Sequence, residues 1–364
     1  MSFSVGIIGA GWYGCHIGSS LASLGFDVTI FDRHSRVLHE ASGNNQFRLH
    51  LGFHYARHHG TRLQSRDGFQ RFIERYPTLS GEIAENIYAV PKGTSLIDFH
   101  TYKLIMAASG IDFVELPGSH SLLEAVEGCL QTRERVILLE RARNFFQDRL
   151  GGALELETEV RSIRSGARHA EVNGRHFDYV IDATWGQYRK LPIPVFYEPT
   201  LLLYYEVSGH HPAITLVDGP LASVYPTEDP QIFTLSSVVH TPLGRCASAG
   251  EAHVKRAAVD KELITAKRIA MEDQISINVP SFRDSFRFAG AQLAIKTKPI
   301  GQFDDRSCYV FQEGRVFSVM SGKIDTIFFA TERILSMIEA ENSTQEVREP
   351  PPSALRSSMR MLTG

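Results

Sequence analysis

A glycine-rich turn close to the amino terminus constrains the fold of this chain more than any other feature. Residues 9–14 read Gly-x-Gly-x-x-Gly and follow a short apolar run at 5–8. Apolar residues then recur with helical spacing from 16 to 24, and a second β-rich run at 28–31 ends at Asp32. A strand, a glycine turn, a helix and a second strand in this order predict a βαβ unit with a right-handed crossover.

Each glycine of the turn has its own role in such a unit. Gly9 permits the tight turn, Gly11 lets the backbone approach a pyrophosphate, and Gly14 allows the helix to pack closely on the strand. The helix that begins there directs free N–H groups and its positive dipole end at a diphosphate. Asp32 is placed to accept hydrogen bonds from ribose hydroxyls, whereas Arg33 suggests a 2′-phosphate that Asp32 disfavours. The unit therefore predicts the ADP half of a dinucleotide, without separating FAD from NAD.

Composition and charge favour a small-molecule ligand. The 364 residues are 43% hydrophobic, and their formal net charge of -3 gives no field of one sign for nucleic acid or an anionic membrane. No apolar run approaches the roughly 20 residues that cross a bilayer, and no basic leader precedes the first strand, so we expect a cytoplasmic protein. Cys15, Cys129, Cys246 and Cys308 are far apart, which disfavours a disulfide framework or a zinc ribbon.

The remaining pattern predicts a second domain interleaved with the first. Alternating stretches at 201–207, 221–225 and 232–239 are typical of an antiparallel sheet, with a helix at about 252–272 beside it. The first domain continues with a helix at 64–75, a helix at 135–150, a strand at 179–182, a strand at 316–319 and a helix at 325–338. We expect an α/β fold in which a discontinuous Rossmann-type domain is built from 1–75, 132–190 and 300–340. A substrate domain on a mostly antiparallel sheet is expected from 76–131 and 191–299, and a mobile C-terminal tail from 341–364.

A polar and then basic and aromatic segment at 41–55 extends the site beyond the ADP half. It carries Ser42, Gly43, Asn45, Gln46, Arg48, Leu49, His50 and Tyr55. Its length lets it follow an extended cofactor from the pyrophosphate to a redox ring. Two later strand ends carry glycine turns of their own, Asp182-Ala183-Thr184-Trp185-Gly186 and Ser321-Gly322-Lys323-Ile324-Asp325-Thr326.

Together these motifs resemble the D-amino-acid-oxidase-like superfamily of flavoproteins, which includes glycine and sarcosine oxidases, glycerol-3-phosphate dehydrogenase and 2-hydroxyglutarate dehydrogenase. In that superfamily a Ser-Gly-x-Asn segment lies along the FAD and a His-x-Gly segment lies beside the flavin. The resemblance spans residues 5–338 and implies that the dinucleotide is FAD. It implies further cofactor-side positions at Ser42, Gly43, Asn45, Gln46, Leu49, His50, Val160, Thr184, Trp185, Gly186, Gly322, Lys323, Ile324 and Asp325. Among these, the backbone of Val160 is expected at the adenine, and Trp185 stands where a glycine is usual.

The turn at Gly322 and Lys323 resembles the Gly-Gly-Lys-Leu-Thr-Thr turn of glycerol-3-phosphate dehydrogenases, where a helix N-terminus faces the flavin pyrimidine edge. Reduction of a flavin builds negative charge on its N1–C2=O side. A helix N-terminus and the Lys323 ammonium would stabilise that charge and raise the reduction potential. The alternative is a solvent-facing lysine after a core strand.

Substrate-side residues are predicted from the need to orient a carboxylate substrate near flavin N5. Lys296 stands where members of the superfamily often carry a carboxylate-binding arginine, and a lysine binds there as a point charge without the bidentate fork. Tyr225, on a substrate-domain strand, points at the pocket or lies at its rim. Arg48, His50 and Tyr55 complete this set.

Histidine is dense at His50, His54, His58 and His59, but we do not expect a metal site. No carboxylate or cysteine lies between these residues, and a flavin site needs no metal. His50 is expected beside the flavin, where it sets hydrogen bonding or, alternatively, carries a covalent flavin link. The other three are expected in loops or on the surface. Cys308 is expected to be a packed thiol and not a flavin tether.

The predicted function is FAD-dependent oxidation of a C–H bond next to nitrogen, which converts an amine or amino acid to an imine by hydride transfer to flavin N5. One alternative keeps the fold and oxidises a secondary alcohol or a 2-hydroxy acid, with His50 as the base that takes the hydroxyl proton. Another is a non-catalytic flavin-binding protein whose tail docks a partner. The electron acceptor and the oligomeric state are left open.

Overall fold

Two large sheets organise the computed structural model, which describes residues 2–118, 120–301 and 305–348. The helices are α1 (Trp12–Ser23), α2 (His59–Arg75), α3 (Phe99–Ala108), α4 (Leu139–Leu150), α5 (Ala249–Ala257), α6 (Lys261–Ser276), α7 (Phe282–Ser285) and α8 (Ile327–Arg348). The first ten strands are β1 (Ser4–Ile8), β2 (Asp27–Phe31), β3 (Arg48–Leu49), β4 (Ser80–Glu82), β5 (Asn86–Pro91), β6 (Val114–Leu116), β7 (Val126–Gln131), β8 (Arg135–Ile137), β9 (Leu154–Glu155) and β10 (Ile163–Ser165). The others are β11 (Ala170–Val172), β12 (Arg175–Phe177), β13 (Tyr179–Asp182), β14 (Val195–Val207), β15 (Ala213–Leu216), β16 (Ala222–Pro226), β17 (Ile232–Ser237), β18 (Phe286–Pro299), β19 (Tyr309–Glu313) and β20 (Val316–Met320).

The first sheet has six strands in the order β19-β20-β13-β1-β2-β9. Strand β1 pairs in parallel with both β2 and β13, and β19 adds an antiparallel edge. Helix α1 starts directly after the glycine turn and packs against β2 and α8. The close approach of α1 to the turn after β1 requires Gly14, because a Cβ there would overlap the carbonyl oxygen of Gly9. The predicted Rossmann-type α/β arrangement is confirmed.

The second sheet has eight strands in the order β18-β14-β17-β16-β15-β5-β7-β6. Its pairings are antiparallel, apart from the parallel pairing of β15 with β5. A long ladder joins β14 to β18, from Val195 opposite Pro299 to Val207 opposite Phe286. One face of the sheet buries an apolar cluster with α6 and α7, whose members include Leu201, Leu203, Leu235, Met271 and Phe282.

A small sheet of β3, β8 and β4 holds the segment at 41–55 in place. Arg48 pairs with Val136 and Leu49 pairs with Arg135, while β8 pairs on its other side with β4. Strands of the six-stranded sheet all fall within 1–75, 132–190 and 300–340, and those of the eight-stranded sheet within 76–131 and 191–299. This distribution supports the proposed division into two domains.

Several elements differ from the prediction because tertiary contacts override local pattern. Residues 135–137 form strand β8 and not the start of a helix, since Val136 pairs between β3 and β4. The single helix predicted at 252–272 is two helices, because the Asp260 carboxylate accepts from the N–H of Leu263 and starts α6 anew. Helix α3 lies between β5 and β6, where no helix was predicted.

The C-terminal segment is helical further than expected. Helix α8 continues through Arg348, so 341–348 extend it, and the rest of the predicted tail, 349–364, lies outside the described residues. Within the described ranges, no helix is both long enough and apolar enough to cross a membrane.

Candidate functional site

A cavity of about 560 Å³ is lined by residues from both large sheets. The predicted positions that reach its wall are Gly9, Gly11, Asp32, Arg33, Ser42, Asn45, Gln46, Arg48, His50, Tyr55, Val160, Thr184, Trp185, Lys296, Gly322, Lys323 and Ile324. The predicted positions that lie behind the wall are Gly14, Gly43, Leu49, Gly186, Tyr225 and Asp325. The fold therefore brings together segments that are hundreds of residues apart in the chain.

The glycine turn and Asp32 form one part of the cavity. Gly9 has a φ of +97°, which lies in the left-handed region that favours glycine. The Asp32 carboxylate accepts hydrogen bonds from the backbone N–H of Ala10 at 2.7 Å and of His34 at 2.9 Å, which ties the turn to β2. Asp32 is thereby oriented, and a carboxylate retains further lone pairs for ribose hydroxyls.

Arg33 is engaged by the protein itself. Its guanidinium forms an ion pair of 2.9 Å with Glu40, which also accepts a hydrogen bond of 2.6 Å from Arg256 of α5. Burial raises the pKa of Glu40, but Arg256 and Arg33 outweigh burial and lower that pKa to about 2. A 2′-phosphate would compete with this carboxylate for Arg33, so the arrangement favours an unphosphorylated ribose.

The loop at 41–55 is shaped by its own side chains. Asn45 Nδ2 donates to the carbonyl oxygen of Ser42 at 3.1 Å, and Gln46 Nε2 donates to the carbonyl oxygen of Ser223 in β16 at 3.2 Å. Gly43 is required because a Cβ there would overlap the carbonyl oxygen of Leu38, in the segment before the loop. Ser42 Oγ accepts from the N–H of Trp12 at 3.1 Å, which fixes the loop to the first turn of α1. The loop thus bridges the two large sheets along the cavity.

Lys323 lies in a second part of the cavity and is almost completely buried. Its Nζ donates to the Tyr55 hydroxyl at 2.8 Å and lies 3.5 Å from Oδ1 of Asp325. Asp325 is itself fully buried, and in the part of the chain that the structure describes neither carboxylate oxygen accepts a hydrogen bond. Asp325 is therefore the counter-ion behind Lys323 and does not reach the cavity.

Trp185 and Gly322 meet at the wall of the cavity. Trp185 has a φ of +59°, although it is not a glycine, and its Nε1 is buried without a hydrogen-bond partner among the described residues. A Cβ on Gly322 would overlap the indole ring. The ring thus takes the space that any side chain at 322 would need.

Arg48 is fixed by a buried polar network. Its Nη1 donates to the Tyr88 hydroxyl at 2.8 Å, and its Nη2 donates to Ser223 Oγ at 2.9 Å. Tyr88 in turn donates to Glu134 Oε2 at 2.7 Å, and that oxygen lies 3.9 Å from Nη1 of Arg48. The Glu134 carboxylate therefore balances the positive charge of the Arg48 guanidinium, which reaches the cavity wall.

Tyr225 supports Arg48 and does not point at the pocket, which corrects that part of the prediction. The Tyr225 ring is fully buried, with the Arg48 guanidinium carbon 4.0 Å from its centroid. Its hydroxyl donates to the carbonyl oxygen of Arg135 at 3.2 Å. The side chain is directed towards β8 because the phenol finds its hydrogen-bond acceptor there.

His50 and His54 lie side by side in the wall, with ring centroids 5.8 Å apart. Nδ1 of each ring is buried and has no hydrogen-bond partner within the described ranges. Burial, followed by the positive charges of Lys323 and Arg48, holds the pKa of His50 well below its usual range. Burial and His50 do the same to the pKa of His54. Both rings are therefore neutral near pH 7.

The histidines after His50 do not share one environment. His54 lies in a loop, as expected, and this loop also lines the cavity. His58 caps α2, since its Nδ1 accepts from the N–H of Thr61 at 3.1 Å. Among the described residues, no group of three or more His, Cys, Asp and Glu side chains is arranged to hold a metal.

Lys296 faces the cavity from β18. It lies opposite Glu198 in the ladder, but Glu198 forms an ion pair with Lys298. Lys296 itself has no ion-pair or hydrogen-bond partner in the described part of the chain. Burial and the nearby Lys298 charge lower the pKa of Lys296 to about 8. The site therefore presents an ammonium group that is ready for an anion.

Sequence reasoning missed Glu134, Tyr88 and His54. Glu134 and Tyr88 belong to stretches without a motif, and they become site residues only when β5 and the turn before β8 approach Arg48. The one signal available was the need of Arg48 for a buried counter-charge. Cys308 is a buried thiol, and burial raises its pKa to about 12, which matches the expected packing role.

The residues of the cavity fit FAD. The first part offers the glycine turn and the N-terminus of α1 to a diphosphate, and the N-cap Gly11 has no side chain to obstruct it. The second part offers buried polar atoms that have no hydrogen-bond partner among the described residues, including Nε1 of Trp185 and Nδ1 of His50 and His54. Buried polar groups are normally hydrogen-bonded, so these atoms indicate a polar molecule in the cavity.

Sequence comparison defines the class of the protein. A family model described as FAD dependent oxidoreductase matches residues 4–233, and the chain belongs to this family. It is therefore an FAD-dependent oxidoreductase of the D-amino-acid-oxidase-like superfamily, as its motifs predicted. A protein of Fusarium mangiferae that is named FAD-dependent monooxygenase FPY4 is 59% identical over 339 residues, which cover 93% of this chain and 92% of that relative.

Solved structures show the same fold at low sequence identity. Glycine oxidase from Geobacillus kaustophilus superposes with a TM-score of 0.68 at 16% identity, over 93% of this chain and 95% of that one. Dithionite-reduced L-alpha-glycerophosphate oxidase from Mycoplasma pneumoniae, with FAD bound, gives 0.69 at 13% identity, also over 93% and 95%. The likeness extends over both large sheets.

Proposed function

We propose that this flavoenzyme oxidises a C–H bond next to nitrogen in a carboxylate-bearing amine, giving an imine. The observation that carries the proposal is the Lys296 ammonium, which lines the cavity without a partner among the described residues and whose charge acts on the neutral His50. Bound FAD supplies the two-electron acceptor. The C–H hydrogen leaves with its electron pair, the nitrogen lone pair forms the C=N bond, and the N–H proton passes to water.

The cofactor-side positions follow from the two parts of the cavity. Gly9, Gly11 and Asp32 hold the ADP half, since they combine the glycine turn, a helix N-terminus and an oriented carboxylate. Gly322 and Lys323 would face the flavin edge that becomes negative on reduction, where the Lys323 ammonium would stabilise that charge. This arrangement directs the substrate to the wall formed by β14, β16 and β18.

The state of His50 favours an amine over an alcohol. Alcohol oxidation needs a base for the hydroxyl proton, and a base is most effective when its pKa lies near the working pH. Burial, Lys323 and Arg48 hold the pKa of His50 well below that range, so His50 is a weak base. A neutral amine provides its own lone pair, and the cationic surroundings favour that neutral form.

A second candidate is insertion of an oxygen atom, because the relative at 59% identity is named a monooxygenase. In such a reaction one atom of O₂ enters the substrate and the other leaves as water. The balance requires two further electrons from an external reductant such as a reduced nicotinamide. Oxidation to an imine needs no such reductant, and this difference separates the two candidates.

The deciding experiment is anaerobic mixing of the yellow holoenzyme with amines, amino acids and hydroxy acids in the absence of other reductants. Bleaching of the flavin by an amino acid supports the proposal. Bleaching only by a hydroxy acid supports alcohol oxidation. In a separate experiment, bleaching only by a reduced nicotinamide, followed after admission of ¹⁸O₂ by ¹⁸O in the product, supports oxygen insertion.

The proposed carboxylate contact has its own test. Lys296→Met should raise KM for an acidic amine at least tenfold with a smaller effect on kcat, because a substrate anchor binds ground state and transition state alike. Arg164→Met is the matched control, since Arg164 is 77% exposed on β10 and lies outside the cavity. Equal KM values for wild type and Lys296→Met would contradict the contact.

A further inference from the structure

Some of the positively charged side chains in the cavity wall have a carboxylate partner among the described residues, and others do not. Six arginine and lysine side chains line it. Four of them have a carboxylate partner, in the pairs Arg33–Glu40, Arg48–Glu134, Lys298–Glu198 and Lys323–Asp325. Lys296 and Arg306 have none among the described residues. The wall therefore carries two cations whose charge the described chain does not balance.

Arg306 is held by its backbone and keeps most of its guanidinium donors available. Its N–H donates to Thr61 Oγ1 at 2.9 Å, and its Nη1 donates to the carbonyl oxygen of Asp305 at 2.9 Å. The Asp305 carboxylate is directed elsewhere, since it accepts from the N–H of Ser307 at 2.9 Å and from the Tyr309 hydroxyl at 2.6 Å. A guanidinium has five N–H donors, so a bidentate contact with a carboxylate remains open.

The charge of Arg306 acts on Lys296, and both side chains line the cavity. Burial and Lys298 are the main causes of the lowered pKa of Lys296, and the Arg306 charge adds to them. Lys296 in turn helps to lower the pKa of His50, which places it near the part of the cavity that contains Lys323. The diphosphate of FAD has its own site at Gly11, on a different element.

We infer that the substrate carries two carboxylates, one bound by Lys296 and the other by Arg306. The inference rests on the proposed function in that it takes this cavity as the substrate site, and it adds the substrate class. A dianion would neutralise both cations at once, whereas a monoanion leaves one of them without a counter-charge among the described residues. The guanidinium fork supplies orientation that a lysine alone cannot give.

The test compares two inert probes of equal carbon number, succinate and butanoate, at fixed pH and ionic strength. Each is titrated into the resting holoenzyme, and binding is followed by the flavin difference spectrum. Succinate should bind at least about tenfold more tightly, which corresponds to about 1.4 kcal/mol. Arg306→Met should remove this preference while leaving the butanoate Kd unchanged, and Lys296→Met should weaken both ligands.

Two further variants serve as controls. Arg306→Lys keeps the charge and should retain most of the preference, so loss of preference in Arg306→Met but not in Arg306→Lys identifies the charge. Arg164→Met should retain the wild-type ratio. Equal Kd values for the two probes in the wild type, or an unchanged ratio in Arg306→Met, overturn the inference.

The binding test is independent of turnover. If no amine bleaches the flavin but succinate is preferred, the proposed oxidation fails and the dianion site stands. If amino acids bleach the flavin but the probes bind equally, the oxidation stands and the dianion site fails.

Discussion

The indole ring of Trp185 lies against the backbone of Gly322, where two neighbouring parallel strands end. Trp185 follows β13 and Gly322 follows β20, and these strands pair in the six-stranded sheet. Both residues line the cavity, and the ring leaves no room for a side chain at 322. The two turns therefore form one unit, although 136 residues lie between Trp185 and Gly322 in the sequence.

Replacement of Gly322 by alanine should weaken FAD retention, because the new methyl group would displace the Trp185 ring into the cavity. Overpacking of this kind costs about 1–3 kcal/mol. The measurement is the FAD content and the melting temperature of the purified variant. Combining Gly322→Ala with Trp185→Gly should restore FAD binding in part, because it removes the ring and relieves the positive φ at 185. A double variant that is worse than Gly322→Ala would show that the two residues are not coupled in this way.

Lys323→Met should lower the flavin reduction potential, because it removes a buried positive charge beside the position proposed for the reduced flavin. We expect a shift of roughly 30–60 mV, which is about 1.4–2.8 kcal/mol for a two-electron couple. The potential is measured by equilibration with reference dyes. Lys323→Arg keeps the charge and should stay close to wild type. An unchanged potential in Lys323→Met would remove Lys323 from the flavin edge.

Glu134→Ala should destabilise the protein by about 3–5 kcal/mol, because it leaves the buried Arg48 guanidinium without its carboxylate. Glu134 also accepts the N–H of Leu51 at 2.7 Å, so the loop beside His50 loses a contact as well. The free energy of unfolding is measured in urea. The matched control is Glu82→Ala, since the Glu82 side chain is 86% exposed and its ion pair with Arg135 is of the surface kind, worth at most about 1 kcal/mol. Equal effects of the two variants would contradict the assigned network.

Affinity for an acidic substrate should fall as the pH rises through about 8, the pKa of Lys296. The protonated ammonium binds a carboxylate, and the neutral amine above that pH does not. A bound anion favours the charged form, so the pKa should be higher in the complex than in the free enzyme. The profile of kcat/KM against pH reports the free enzyme. Lys296→Arg should move the fall of kcat/KM at high pH, the alkaline limb of the profile, to higher pH. Lys296→Met should abolish this limb. A limb that persists in Lys296→Met would assign it to another group.

The local sequence pattern was sufficient to predict the first βαβ unit. The turn at 9–14 and Asp32 constrain each other within a short stretch, and the structure joins them directly through the N–H of Ala10. The same holds for the strand ends at Thr184 and Gly322, where a glycine turn follows a buried strand.

Non-local contacts explain what the sequence did not reveal. Strand β8 exists because β3 and β4 pair with it on either side, and no periodicity within three residues could indicate that. His54 was indistinguishable from His58 in the sequence, yet one lines the cavity and the other caps α2. Tyr225 lies on the expected strand, but the acceptor for its hydroxyl belongs to β8.

Side chains of strand β14 point alternately into the cavity and into the apolar core. Glu198, Thr200 and Leu202 line the cavity, whereas Leu201 and Leu203 belong to the apolar cluster beneath α6 and α7. Because successive side chains point to opposite faces of a strand, every second position can change without disturbing the layer behind it. Exchange of alternate residues of this one strand would therefore reshape the cavity wall, while the apolar layer behind it and the glycine turn at 9–14 stay as they are.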